Sequence, residues 1–94
     1  MDLASRLETL LRLAQEMDIE VRSEALGGEG GGLCRLRGKR VLFVDASADV
    51  ATRYDRTLAA LAPLPELDRR YMVPEVRQDV DRQRAQAGRS GPAS

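Results

Sequence analysis

Leu33-Cys-Arg-Leu-Arg-Gly-Lys-Arg-Val-Leu-Phe-Val-Asp45 decides the fold, because it holds two short strand-forming runs separated by a glycine. Apolar and charged residues alternate from Leu33 to Arg37, and Arg40 to Asp45 is rich in β-branched and aromatic side chains. Between them Arg37-Gly38-Lys39-Arg40 reads as a tight two-residue turn, with Gly38 supplying the positive φ of a type II′ hairpin. This turn sets Arg37 opposite Arg40, Leu36 opposite Val41, Arg35 opposite Leu42, Cys34 opposite Phe43 and Leu33 opposite Val44. One face of the ribbon is then Cys34, Leu36, Val41 and Phe43, apolar throughout. The other mixes Leu33, Leu42 and Val44 with Arg35, Arg37 and Arg40. The apolar face is the expected seat of a helix.

Upstream, Leu3, Leu7, Leu10, Leu11, Ala14 and Met17 recur at steps of three and four, which predicts a helix from about Asp2 to Met17 with Asp2 as its cap. From Asp18 the period becomes two. Ile19, Val21 and Ser23 alternate with Glu20, Arg22 and Glu24, a strand ending near Ala25. Gly27-Gly-Glu-Gly-Gly-Gly32 follows and reads as a long flexible hairpin loop. Downstream, Ser47 or Asp45 is expected to cap a second helix carrying Val50, Tyr54, Leu58 and Leu61, which Pro63 ends. Pro65 opens a short turn of helix, and Pro74 starts a last helix striped by Val76 and Val80 that frays past Arg84. The expected fold is therefore α+β: a helix, a three-stranded antiparallel β-meander, a helix and a C-terminal helical segment. Residues 1–86 form one domain in this reading, and 87–94 form a flexible tail of linker-like composition.

Composition narrows the function classes. Fifteen basic and fifteen acidic residues cancel, so the chain lacks the overall charge of a dedicated nucleic-acid binder. It contains no histidine and one cysteine, Cys34. An internal disulfide and the common zinc and copper ligand sets are thereby excluded, and no cofactor is expected. The amino terminus fits neither a signal peptide nor an anchor, and no apolar run approaches a membrane span. A cytoplasmic location is the expectation, and fourteen arginines against the single Lys39 suggest a GC-rich, bacterial genome. A chain this short gains stability from association, which points to a homo-oligomer or a protein partner.

The candidate sites separate by chemistry. Gly32 and Gly38-Lys39 fail as a phosphate loop, which needs four residues between its glycines and a hydroxyl after its lysine. Asp45 ends an apolar strand, as a metal-binding aspartate does in phosphate-handling enzymes, but Ala46, Ser47 and Ala48 supply no second acid. Capping the next helix is the simpler role. Cys34, on the expected inner face, is a small buried hydrophobe without a histidine to activate it. Arg35, Arg37, Lys39 and Arg40 place four positive charges in six residues, a candidate nucleic-acid ridge. The order of helix, three strands and helix is similar to the double-stranded-RNA-binding domain, which implies phosphate contacts from a basic start to the final helix. The matching segment here, Asp45-Ala-Ser-Ala-Asp49, is acidic. Glu20 and Glu24 are expected to face the hairpin arginines as cross-strand partners. The mixed face of Leu33, Arg35, Arg37, Arg40, Leu42 and Val44 has the composition of a protein interface. The leading expectation is thus a non-catalytic interaction module that docks through that face, with nucleic-acid binding and a small phosphate-handling enzyme as alternatives.

Overall fold

The computed structural model describes residues 1–89. Its elements are α1 (Leu3–Glu16), β1 (Glu20–Glu24), β2 (Gly32–Leu36), β3 (Lys39–Asp45), α2 (Val50–Leu61), a 3-10 turn (Pro65–Arg69) and α3 (Pro74–Arg89). The α+β class stands. The part of the expected tail beyond residue 89 lies outside the described residues, and 87–89 belong to α3.

Both long helices near the sheet start on an aspartate. Asp2 accepts a 2.7 Å hydrogen bond from the Ser5 amide, and Asp49 accepts one of 2.8 Å from Thr52. The α2 cap is therefore Asp49, not Ser47 or Asp45. The reason is spacing, since the capping side chain must reach an amide three residues on, inside the first turn.

The sheet differs from the meander. Its order is β1-β3-β2, with β1 parallel and β2 antiparallel to β3. The run Val41-Leu-Phe-Val44 is apolar on both sides of its strand, so the middle position suits it best. β1 carries Glu20, Arg22 and Glu24, and β2 carries Gly32 and Arg35, a mix that suits edge strands better than the centre. The glycine-rich segment is consequently not a hairpin loop. It passes over the carboxyl end of β3 to carry the chain from one edge of the sheet to the other. Glu20 and Glu24, two strands away from β2, are not cross-strand partners of Arg35 or Arg37.

The hairpin is also set differently. Leu36 pairs with Lys39, Arg35 with Arg40, Cys34 with Val41, Leu33 with Leu42 and Gly32 with Phe43. The two turn residues are Arg37 (φ 51°) and Gly38 (φ 82°), both left-handed, which makes a type I′ turn and moves the pairing by two residues. A shift of two keeps every side chain on its face, so the two faces have the expected membership. What inverts is which of them is covered. Parallel pairing sets Val21 beside Leu42 and Ser23 beside Val44, while Glu20 and Arg22 lie beside Val41 and Phe43. Summed over three strands, the side with Val21, Leu33, Leu42 and Val44 is the more apolar, and α1 and α2 pack on it. Leu42 is wholly buried there. α3 covers the helix layer from outside, with Val76 and Val80 buried against α1 and α2.

Candidate functional site

The side of the sheet without helices is built from Glu20, Arg22 and Glu24 on β1, Lys39, Val41 and Phe43 on β3, and Cys34 and Leu36 on β2. Val41 is shielded by its strand neighbours, Phe43 is half-buried, and Leu36 stands 43% exposed at the hairpin end. Cys34 is exposed. This corrects its expected burial, and the cause is the choice of covered face. A shallow groove of about 640 Å³ runs across this side, lined by Glu20, Arg22, Leu36, Arg37, Lys39 and Val41. Glu20 and Arg22 pair with each other within β1. The bond to Glu20 is the main reason that the Arg22 guanidinium holds its proton more tightly than usual.

The six residues expected to form an interface are split. Leu42 and Val44 lie in the core and Leu33 packs against it, so the chain's own helices cover the apolar half of that surface. Arg40 is half-buried at the end of the sheet. Its guanidinium donates to both carboxylate oxygens of Glu66, at 2.8 and 2.9 Å, and to the Met17 carbonyl at 2.6 Å. It ties the hairpin to the end of α1 and to the 3-10 turn, and the Glu66 bond lowers that carboxyl's pKa while raising that of Arg40. Arg35 and Arg37 are exposed. Of the four cations in the nucleic-acid alternative, Arg40 is thus engaged, while Arg35, Arg37 and Lys39 have no acidic partner among the described residues.

Asp45 does not cap α2; its carboxylate holds the loop that crosses the end of β3. It is buried, and its carboxylate accepts from the amides of Leu26 (2.8 Å), Ser47 (2.8 Å) and Gly30 (3.0 Å). Burial pushes its pKa up, but these backbone donors, with Gly28 adding to them, outweigh that and hold it at about 2. Both oxygens are occupied in fixing the crossing loop. On the far side Arg56 donates to the Gly30 carbonyl at 2.6 Å, so the loop is clamped between β3 and α2. Gly31, at φ 112° and with the Phe43 carbonyl 3.3 Å from where a Cβ would sit, cannot be replaced without strain. Among the described residues no group of three or more histidine, cysteine, aspartate or glutamate side chains is placed to hold a metal ion.

Sequence reasoning missed one buried polar cluster. Tyr54 of α2 donates a 2.5 Å hydrogen bond to Asp79 of α3, and Arg6 of α1 donates to the same oxygen at 2.9 Å. Burial and the bond to Asp79 push the Tyr54 hydroxyl well above its usual pKa. This cluster joins α1, α2 and α3 through one carboxylate. Asp79 falls in the apolar stripe of α3 between Val76 and Val80, and that placement was the available signal.

No family model, curated protein or solved structure matches the chain. The antiparallel meander presumed in the likeness to the double-stranded-RNA-binding domain is not formed, because β1 runs parallel to β3. No described helix is long and apolar enough to cross a membrane.

Proposed function

We propose that the chain is a small interaction module that pairs with a second copy of itself through the helix-free side of its sheet. The observation that carries this reading is Leu36, 43% exposed two residues from an exposed Cys34 and on the same face as a half-buried Phe43, the sheet face that no described element covers. Charge supports a second copy as occupant. Glu20 and Glu24 line the β1 edge, while Arg37 and Lys39 sit at the hairpin. A two-fold axis lying along β3 sets each copy's β1 over the other's β2 with the hairpin ends level, which brings Glu20, and not Glu24 at the far end of β1, towards the hairpin cations of the other copy, with the apolar strip between. Docking thus uses the face opposite to the mixed surface of Leu33, Arg35, Arg37, Arg40, Leu42 and Val44, whose apolar half the helices cover.

Sedimentation equilibrium on the full chain tests it. A monomer–dimer equilibrium that Leu36→Glu abolishes, with the circular dichroism spectrum unchanged, supports the reading. A monomer into the high micromolar range overturns it. Arg35, Arg37 and Lys39, which have no acidic partner among the described residues, favour a second reading, in which the hairpin contacts phosphates. Steeply salt-dependent binding of a nucleic acid that is lost on replacing all three by alanine, without any dimer, would replace the first.

A further inference from the structure

A second surface lies at the opposite edge of the molecule from β1. β2 is an edge strand, so its outward N–H and C=O groups have no strand partner among the described residues. α2 runs beside it, and between them is an open groove of about 540 Å³ lined by Gly31, Gly32, Leu33, Arg56, Ala59, Ala60, Pro63 and Leu64. The lining is apolar towards Leu64 and positive at the Gly31 end. The residues on both walls are small, Gly31 and Gly32 on the strand side and Ala59 and Ala60 on the helix, which leaves room for a side chain. Arg56 spends one nitrogen on the Gly30 carbonyl and has no acidic partner among the described residues, which leaves the rest of its guanidinium for an anion.

We infer that this groove takes an extended peptide, added as a fourth strand alongside β2, with an apolar side chain over Leu33, Ala60 and Leu64 and a carboxylate at Arg56. Main-chain hydrogen bonds along an edge strand supply affinity in such strand addition, and the flanking pocket supplies selectivity. Five residues of β2 span about 17 Å at roughly 3.3 Å per residue, enough for a peptide of four or five residues. The clamped loop keeps the Gly31 end of the groove in place without a ligand, which limits the ordering cost of binding. The carboxylate distinguishes this occupant from a second copy of the chain, whose β2 carries Arg35 and would bring like charge to Arg56.

The test is a phage-displayed library of random heptapeptides with free carboxyl termini, selected on the full chain and counter-selected on an Ala60→Phe variant that fills the groove. Enrichment of apolar termini on the wild type alone is expected. An enriched peptide made with a free carboxylate should shift the amides of Gly31, Gly32 and Leu33 in a nitrogen-15 spectrum. Its carboxamide should bind about 10-fold more weakly, the loss of one charge-assisted contact, and Arg56→Gln should remove that difference. Equal enrichment on both proteins, shifts confined to the Leu36 face, or equal binding of acid and amide to the wild type overturns the inference. So does concentration-dependent shifting of the β2 amides without peptide, which would give the edge to a second copy. These outcomes leave the sheet-face dimer untouched, because Ala60 and Arg56 lie on the other side of the sheet from Leu36.

Discussion

Replacing Leu42 and Leu36 separately by alanine distinguishes the covered from the open side of the sheet. Leu42 is wholly buried, on the central strand between Val21 and Leu33 and beneath α1 and α2. Truncating such a leucine removes its transfer free energy and leaves a cavity that close-packed neighbours fill only in part, a cost of about 2–5 kcal/mol. A domain of this size has total stability on the order of 5–10 kcal/mol, so Leu42→Ala should remove a large share of it. Taking about 3 kcal/mol and a shift of roughly 4–8 °C per kcal/mol, the thermal midpoint falls by roughly 10–25 °C. Leu36, at 43% exposure and outside the core cluster, should cost within about 0.5 kcal/mol for the isolated chain. Urea unfolding followed by circular dichroism, at a concentration where the chain is monomeric, measures both. Equal losses, or a neutral Leu42→Ala, would refute the assignment of faces. At higher concentration the order reverses for association, with Leu36→Ala weakening the dimer and Leu42→Ala acting only through unfolding.

Two further perturbations address the loop and the turn. Asp45 has a folded pKa of about 2 against an ordinary 3.8, so the unfolded chain binds more protons between these values. Its stabilisation is complete above about pH 4 and is lost as pH falls towards 2; Asp45→Asn should therefore flatten the acid limb of the stability profile in that window, measured by urea midpoints, and an unchanged limb would mean that the carboxylate does not hold the loop. At the hairpin, Arg37 occupies a left-handed position that asparagine tolerates better. Arg37→Asn should raise the unfolding free energy by a few tenths of a kcal/mol up to about 1 kcal/mol, seen as a higher urea midpoint, whereas a type II′ turn centred on Gly38 and Lys39 would show no gain.

Sequence by itself determined what depends on near neighbours in the chain. The α1 stripe and its Asp2 cap, the strand alternation at Ile19 to Glu24, the helix start at Pro74 and the membership of each hairpin face follow from periods and caps acting over a few residues. Even the two-residue shift in the pairing left those faces intact, because side-chain direction repeats every second residue. The α2 cap was missed although Asp49 stood one residue before Val50, since Asp45 and Ser47 competed for the role.

Only the tertiary structure decided strand order, the covered face and the roles of Asp45, Arg40 and Asp79. Each depends on residues distant in sequence: Asp45 gathers Leu26 and Gly30, Arg40 reaches Met17 and Glu66, and Asp79 joins Arg6 and Tyr54. A hairpin considered alone buries whichever side is more apolar, and that side held Cys34 and Phe43. Once β1 joins β3 in parallel, its Glu20 and Arg22 fall on that same side and reverse the balance. Burial is set by the sum over the whole sheet, and no single ribbon carries that sum.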